Sequence, residues 1–296
     1  MDWIQTFLSY ITTEKRFSKH TIKAYQTDLM QYTTFVENEL SLESIKEVTF
    51  QGIRSWIFYL LENGDSPRSV NRKISTLKTF YKFLLRNGHI KSNPIDKIIS
   101  PKQSKRLPSF VDEGEMATMF TKIDFPDTFE GIRDRTILET FYALGLRLNE
   151  LINLSYQDID FYNRNVKVLG KRNKERIIPF GPHLENCLKQ YLKVFENNFG
   201  ILQQNMPIFV TKKGEKVYSM LIYRVVHKYI EMVSSIEQKS PHVIRHTFAT
   251  HLLNQGADLN AIKELLGHSS LAATQVYTHT SIGKLKEIYK NAHPRA

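Results

Sequence analysis

The segment that begins at Ser240 carries residue types that could bind a phosphate group. Ser240 and Pro241 predict the start of a helix, with serine as the capping residue and proline in the first position. His242 and Arg245 then share one face of the first turn. Free backbone N–H groups, a guanidinium and an imidazole are the groups that hold phosphate at such a helix end. This segment therefore predicts a phosphate site.

The same segment allows two other interpretations. His242, His246 and His251 could supply metal ligands at helical spacing. Arg245 would repel a cation there, and no cysteine or carboxylate completes a tetrahedral set. His246 and His251 also suit a structural role in the core better than His242 does. Phosphate binding is favoured ahead of the structural role, and the metal site comes last.

Three other parts of the sequence carry residues that could do chemistry, but none is specific by itself. Arg147 and Glu150 are three apart at a predicted helix start, so the carboxylate could orient the guanidinium, although most such pairs are surface ion pairs. Lys171 lies in a predicted hairpin turn, where a charged tip is more often simply solvated. Tyr277 follows a short predicted helix, a place where tyrosine is ordinarily a packing residue.

Composition and charge narrow the function classes. The 296 residues suggest two domains, and 41% hydrophobic residues are enough for packed cores. The single cysteine, Cys187, fits a reducing compartment, and neither a signal peptide nor a membrane span is expected. The net charge of +11 suggests a polyanionic partner, most simply nucleic acid. The segment between Ser66 and Arg106 contains eleven basic residues and one acidic residue, Asp96.

The basic block coincides with the fourth of four predicted N-terminal helices. This helix begins at the Ser66 cap and ends near Gly88. Four cations lie within roughly 80° of one another on its helical wheel, and they are Arg68, Arg72, Lys82 and Arg86. A solvated face is the alternative, but DNA contact is favoured because clustered like charges repel one another unless a polyanion relieves them.

A change in composition and in hydrophobic pattern predicts the domain boundaries. Residues 93–109 contain three prolines and a basic run, which predicts an extended linker between an N-terminal helical domain, residues 1–92, and a second domain, residues 110–296. The second domain shows helical patterns near 112–122 and 129–142. Strand-like runs follow at 166–169, 176–179 and 207–210. The predicted fold class is mainly α with a small antiparallel β-sheet.

In chain order, these patterns resemble the active-site signature of the tyrosine recombinase (phage integrase) family. The residues that carry the resemblance are Arg147, Lys171, His242, Arg245, His268 and Tyr277. Three longer stretches are most similar to the bacterial Xer recombinases, and among them to the XerC group: LNQGAD from Leu253, GHSSLAATQVYTH from Gly267, and the closing NAHPRA. The resemblance covers nearly the whole chain and implies a helical core-binding domain followed by a catalytic domain.

The resemblance implies a role for each residue. Tyr277 would attack a DNA phosphodiester and form a 3′-phosphotyrosine, so that rejoining needs no ATP. The arginines and histidines would stabilise the phosphate, Lys171 would protonate the leaving oxygen, and Glu150 would orient Arg147. No metal and no other cofactor is expected. Two departures from the family stand out: Leu144 replaces a usual threonine and should only pack, whereas Arg172 replaces a usual glycine and alters the turn that carries Lys171.

The resemblance also implies partners and a cellular role. Strand exchange needs a tetramer on double-stranded DNA, formed with a XerD-like recombinase or with further copies of the same chain. The expected role is resolution of chromosome dimers, which links DNA recombination to chromosome partition, the cell cycle and cell division in the cytoplasm at the nucleoid. The stripe of Leu285, Ile288 and Tyr289 could pack on its own domain, but docking on a neighbour is favoured because the stripe follows the nucleophile near the end of the sequence.

Three alternatives remain open. A phage or transposon integrase would share the same residues and act in DNA integration, although the compact length favours the Xer type. A type IB topoisomerase would use similar residues but work alone. A non-catalytic DNA-binding protein, the alternative from a different class, would keep the basic helices and lose active-site residues.

Overall fold

The computed structural model describes residues 3–102, 109–170, 175–267 and 279–295. The chain divides into two compact units, Met1–Arg106 and Leu107–Ala296. Each unit has a hydrophobic core of its own.

The first unit consists of four helices whose starts are fixed by capping side chains. They are α1 (Trp3–Thr13), α2 (Lys19–Asn38), α3 (Phe50–Glu62) and α4 (Pro67–Arg86). Ser18, Thr49 and Ser66 each accept a hydrogen bond from the backbone N–H three residues further on. Such a bond satisfies one of the N–H groups that a helix start leaves free. The prediction of four N-terminal helices is confirmed.

One basic residue of α4, Lys73, lies among the buried apolar side chains of the helix. Val70, Ile74 and Leu77 are buried in the core, as the spacing predicts. Lys73 is buried beside them because its ammonium donates to the Asp65 carboxylate, with an Nζ to Oδ2 distance of 2.5 Å. An ion pair makes burial of that charge tolerable.

Part of the predicted linker is packed. Ile95 and Ile98 are buried in the core of the first unit. The side-chain amide of Asn71 donates to the Pro101 carbonyl at 2.9 Å. The first unit therefore extends past residue 92, because two apolar side chains after the prolyl turn contribute to its core.

The second unit combines eight helices with a three-stranded sheet in the described part of the chain. The helices are α5 (Glu113–Thr121), α6 (Phe129–Leu144), α7 (Leu148–Asn153), α8 (Pro182–Phe199), α9 (Ser219–Glu231), α10 (Pro241–Asn254), α11 (Leu259–Leu266) and α12 (His279–Ala292). The strands are β1 (Ile159–Asp160), β2 (Asn165–Leu169) and β3 (Glu175–Pro179), antiparallel in the order β1-β2-β3. The fold class is therefore confirmed as mainly α with a small antiparallel sheet.

One strand prediction is wrong. Residues 207–210 lie outside the sheet, and the segment makes two isolated bridges, Ser155 to Pro207 and Val210 to Lys216. Ile208 and Phe209 are fully or almost fully buried in the core. A short apolar run has the same composition in a core-filling loop as in a strand, so its sequence did not distinguish the two.

The last helix packs on its own unit. Leu285, Tyr289 and Ala292 on α12 are buried in the core of the second unit, and Ile288 packs against it. Of the two interpretations of this stripe, the structure shows the intramolecular one. Across the described residues, the helices are too short or too polar to qualify as membrane spans.

Candidate active site

A glycine in the left-handed conformation forms the turn between α6 and α7, which leads into the site. Gly145 ends α6 with φ 56°, and a Cβ built there would lie 2.5 Å from Cδ1 of Phe248. Only glycine accommodates both the backbone angle and the close approach. The turn places Arg147 at the N-cap of α7, as the sequence predicted. Leu144 is fully buried, which confirms its packing role.

Glu150 is the centre of the site. Its Oε1 accepts from Nη1 of Arg147 at 2.7 Å and from Nη1 of Arg176 at 2.8 Å. Its Oε2 accepts from the backbone N–H of Arg147 and from Nη2 of Arg176, both at 2.8 Å. Nη1 of Arg245 lies 3.9 Å from Oε2. One buried carboxylate therefore holds three guanidiniums together and leaves a net positive charge.

The ion pairs decide the protonation state of Glu150. Burial by itself raises the pKa of this carboxyl, but the hydrogen bonds from Arg176 and Arg147 and the Arg176 charge outweigh it, so the pKa falls to about 2. Glu150 is therefore ionised throughout the physiological range and orients Arg147, as predicted.

This pairing gives a testable pH dependence. Because the folded-state pKa lies below the ordinary value, the stabilisation is complete above about pH 5 and is lost as the pH falls towards 2. We expect wild type to lose about 3 kcal/mol more of its unfolding free energy than Glu150→Gln over that range. Urea unfolding at a series of pH values measures the difference. Glu196→Gln, an exposed carboxylate change on α8, should behave like wild type, and equal pH slopes for wild type and Glu150→Gln would contradict the prediction.

The end of α11 binds the same three arginines. The carbonyl of Leu265 accepts from Nε of Arg176 at 2.8 Å, and that of Leu266 accepts from Nη2 of Arg245 at 2.6 Å. The carbonyl of Gly267 accepts from Nη2 of Arg147 at 3.1 Å. Carbonyls in the last turn of a helix have no partner within the helix and lie at its negative end. Three consecutive carbonyls thus align three guanidiniums.

Arg245 is the most buried of the catalytic candidates that the structure describes, Arg147, His242 and Arg245. It lies on α10 and is buried, and its Nη1 donates to the Gly145 carbonyl at 2.6 Å. Burial, followed by the charges of Arg147 and Arg176, lowers its pKa to about 9, although Glu150 acts in the opposite direction. The guanidinium still carries its charge at neutral pH. A phosphate bound here would relieve the repulsion between the arginines.

Two predicted residues lie at the accessible side of the site. The Arg147 side chain is 35% exposed, in contrast to the buried Glu150. His242 is exposed in the first turn of α10, where Pro241 is the first helical residue. Within the described part of the chain, Ser240 occupies the N-cap position without a capping hydrogen bond from its side chain. Both side chains are therefore accessible to solvent, and His242 precedes the buried Arg245 by three residues on α10.

The remaining histidines of α10 are better explained as structural. His251 is buried, and its Nδ1 is hydrogen-bonded to the Tyr142 hydroxyl at 2.9 Å. His246 is half-buried, 6.4 Å from the ring of Phe110 between centroids. Neither residue belongs, together with His242, to a group of possible metal ligands among the described residues.

A different group of possible metal ligands occurs in the second unit. Within the described ranges it consists of Glu139, His183 and Cys187, whose ligand atoms lie within 4.8 Å of one another. Nη2 of Arg295 already donates to Glu139 at 2.6 Å. Burial raises the pKa of Glu139 to about 7 despite the opposing charges of Arg295 and Arg135. Two guanidiniums next to one carboxylate disfavour a cation, so we interpret this group as an anchor for the C-terminal tail.

Three of the predicted catalytic residues lie outside the described residues: Lys171, His268 and Tyr277. Arg172 lies outside them as well. In the sequence, Lys171 is the second residue after Leu169, the last residue of β2. His268 directly follows Gly267, whose carbonyl binds Arg147.

Sequence reasoning missed Arg176. It lies on β3 with its side chain on the same face as the buried Ile178, and it is 3% exposed. Alternation along a strand places residues 176 and 178 on one side, so an arginine on an otherwise apolar face was the available signal. A buried arginine requires a carboxylate partner, which here is Glu150.

Comparison with known proteins agrees with this geometry. The model of the phage integrase family matches residues 110–283, and that of the phage integrase N-terminal SAM-like domain matches residues 4–88. The chain belongs to the phage integrase family.

Two relatives of this recombinase are named tyrosine recombinase XerC. The one from Chlorobaculum parvum is 38% identical, with 99% of this chain and 95% of the relative covered, and the one from Staphylococcus aureus strain JH9 is 41% identical, with 99% and 96% covered.

Solved structures share the fold of this recombinase. The XerH site-specific recombinase bound to palindromic difH substrate matches with a TM-score of 0.72 and 23% identity, over 90% of this chain and 78% of that one. The Tn1549 transposon integrase in complex with transposon right end DNA matches with a TM-score of 0.75 and 20% identity, over 97% and 99%. These matches show the shared fold, and the sequence relatives make the protein a tyrosine recombinase similar to XerC.

Proposed function

We propose that this recombinase cleaves DNA with the hydroxyl of Tyr277 and uses the arginine cluster around Glu150 to bind the scissile phosphate. The tyrosine oxygen forms a bond to phosphorus while the bond to the 5′-oxygen breaks, which yields a 3′-phosphotyrosine and a free 5′-hydroxyl. The observation that supports the proposal is the cluster itself. One carboxylate shared by Arg147, Arg176 and Arg245 leaves an excess of positive charge, with Arg147 accessible from solvent.

The charge of the cluster suits the transition state of this reaction. Negative charge builds on the non-bridging oxygens of the phosphate, and planar guanidiniums bind such oxygens in pairs. The carbonyls of Gly145 and Leu266 orient Arg245 before DNA arrives, so the guanidinium needs little rearrangement. We assign proton exchange and hydrogen bonding at the phosphate to His242 and His268, because imidazole can both donate and accept a proton or a hydrogen bond.

The covalent intermediate accounts for rejoining without ATP. The phosphotyrosine conserves the energy of the broken phosphodiester, so the 5′-hydroxyl of a partner strand can attack it and release Tyr277. Lys171 is assigned the proton that the departing 5′-oxygen needs, and it recovers that proton during religation. The proposed reaction uses side chains of this chain only.

Tyr277→Phe tests the proposal directly. The change removes the attacking oxygen and nothing else, so DNA binding should persist while covalent attachment is abolished. The measurement is a trapping assay on nicked candidate sites, with protein–DNA adducts resolved in denaturing gels. Tyr289→Phe, the matched control in the buried core on α12, should still form adducts. Adducts with Tyr277→Phe at the wild-type level would show that another residue is the nucleophile.

We propose that the first unit, whose residues 1–92 were predicted as the DNA-binding domain, binds the DNA core site through α4. Arg68, Arg72, Lys82 and Arg86 are all exposed on this helix. Arg72 also forms an ion pair with the buried carboxylate of Asp28, which receives a further hydrogen bond from Thr76 at 2.8 Å. That pair holds one guanidinium in a fixed position on the helix surface, and the other three cations extend the positive stripe to either side of it.

The stripe should determine the salt dependence of DNA binding. Replacing its four cations with alanine is expected to weaken binding and to lower the log–log salt slope by about 0.9 for each phosphate that is no longer neutralised. Fluorescence anisotropy at a series of salt concentrations measures the slope. A control with four other exposed cations changed has the same net charge, and its members are Lys15, Arg54, Lys122 and Lys193. Equal slopes for the two variants would show that the stripe is not the DNA-binding face.

We further propose that the recombinase acts at the nucleoid with a XerD-like partner, in a tetramer that resolves chromosome dimers before cell division. The full-length likeness to proteins named XerC supports this role. The trapping assay run with and without a XerD-like protein distinguishes it from self-assembly. Adduct formation that is indifferent to the added partner would favour a tetramer of identical chains.

A further inference from the structure

Arg176 is not among the assigned catalytic residues, yet it contacts both Glu150 and the end of α11. Its guanidinium donates to both oxygens of Glu150 at 2.8 Å, which is the bidentate arrangement that fixes the plane of a carboxylate. The same two oxygens accept the Nη1 and the backbone N–H of Arg147. The two hydrogen bonds from Arg176 therefore fix the orientation in which the Glu150 carboxylate accepts from Arg147.

The third contact of Arg176 reaches the end of α11. Its Nε donates to the Leu265 carbonyl at 2.8 Å, and its side chain lies against Gly267, where an added Cβ would be 3.1 Å from Cδ. Arg245 and Arg147 bind the next two carbonyls. Arg176 thus holds the last turn of α11 in place. The carbonyls of that turn bind Arg245 and Arg147.

The position of Arg176 in the sequence connects these contacts to the rest of the site. It is the second residue of β3, five residues after Lys171, and the α11 turn that it holds directly precedes His268. A single buried side chain on β3 therefore contacts Glu150 in the first turn of α7 and the end of α11.

We propose that Arg176 is a positioning residue for DNA cleavage, which holds the Glu150 carboxylate and the Leu265 carbonyl so that Arg147 and Arg245 meet the scissile phosphate. This inference rests on the proposed function of the arginine cluster. Arg176 is buried, so it acts through these partners and does not contact DNA. Because a displacement of about 1 Å can cost roughly 100-fold in rate, its loss should slow chemistry far more than binding.

Arg176→Met tests the proposal, since methionine fills much of the same space without charge or donors. We expect cleavage in the single-turnover trapping assay to be about 100-fold slower, with DNA affinity within about threefold of wild type. The rate should also fall further as the pH is lowered from 7 to 5. Without the Arg176 donors the buried Glu150 carboxyl has a higher pKa, takes up a proton and releases Arg147.

Arg133→Met is the matched control. Arg133 is equally buried, and it too donates to a carboxylate, Asp134, and to a backbone carbonyl, that of Val210. This variant should report the general cost of removing a buried arginine without a new loss of activity at acid pH. An equal acid-side loss in Arg133→Met, or a wild-type rate in Arg176→Met, would overturn the proposal.

A double variant keeps the test valid if Arg176→Met is poorly stable. Arg176→Met combined with Glu150→Gln leaves no unpaired buried carboxylate at this position. The cleavage rate of the double variant should match that of Glu150→Gln within about twofold, because both changes remove the same positioning of Arg147. Additive losses would contradict action through Glu150. If wild type itself formed no adduct, the proposed function would fail. The titration of Glu150 by 13C NMR in wild type and Arg176→Met would still decide whether Arg176 holds the carboxylate.

Discussion

Replacing Arg245 with lysine is expected to slow formation of the covalent protein–DNA adduct by about two to three orders of magnitude, the usual cost of removing a transition-state donor. The guanidinium uses two nitrogens to reach the Gly145 and Leu266 carbonyls, both at 2.6 Å. An ammonium has neither the span nor the planar fork to satisfy both carbonyls and also bind phosphate. Equilibrium DNA affinity, which depends on many phosphate contacts, should change far less.

The same variant should acquire a new pH dependence. Burial and the neighbouring arginines lower the pKa of Arg245 to about 9, and that environment would lower a lysine from its smaller starting value towards neutrality. A lysine with a lowered pKa loses its charge as the pH rises, so the cleavage rate of Arg245→Lys should fall between pH 6 and 9, relative to wild type. Single-turnover trapping across that range provides the measurement.

Arg164→Lys is the control for the arginine-to-lysine change. Arg164 is exposed and forms an ion pair with Glu185 at 2.6 Å. Its replacement should leave both the cleavage rate and its pH dependence at wild-type values. A cleavage rate of Arg245→Lys within a few-fold of wild type would mean that the fork geometry of Arg245 does not matter for cleavage.

Removing the Lys171 ammonium is expected to cause the second large loss. An alkoxide leaves poorly without a proton, so Lys171→Ala should cleave ordinary DNA at least about 100-fold more slowly than wild type if lysine is the general acid. A substrate with sulfur in place of the bridging 5′-oxygen expels a thiolate and needs little help from an acid. Lys171→Ala should therefore cleave that substrate at close to the wild-type rate.

Arg245→Ala separates acid catalysis from phosphate binding in the same assay. It should remain defective on both substrates, because sulfur in the leaving group does not replace a donor to the non-bridging oxygens. Failure of sulfur to rescue Lys171→Ala would transfer the acid role to another residue, with Lys174 or a histidine as the next candidates. Arg172→Gly, which restores the residue usual in the family, tests in parallel whether this turn limits Lys171.

Local patterns in the sequence were enough to predict the four N-terminal helices and two of the three strands. Helix starts follow from capping residues such as Ser18 and Ser66, whose partners lie three residues away. The strands on either side of residue 171 follow from short alternating runs. These features depend on neighbours in the chain, so periodicity and residue type are sufficient to find them. The run at 207–210 was mistaken for a strand because strand and buried loop share its composition.

The sequence also determined which residues of the family signature are present, from Arg147 to Tyr277, because that signature is a matter of residue types and order. Only the tertiary structure decided what holds them. Glu150 looked like the partner of Arg147 alone, three residues away, yet it is shared with Arg176, 26 residues further on, and approached by Arg245. The carbonyls that align these arginines come from α11, up to 120 residues away. A backbone carbonyl has no residue type, so only the folding that brings α11 against β3 and α10 could reveal which carbonyls align the arginines.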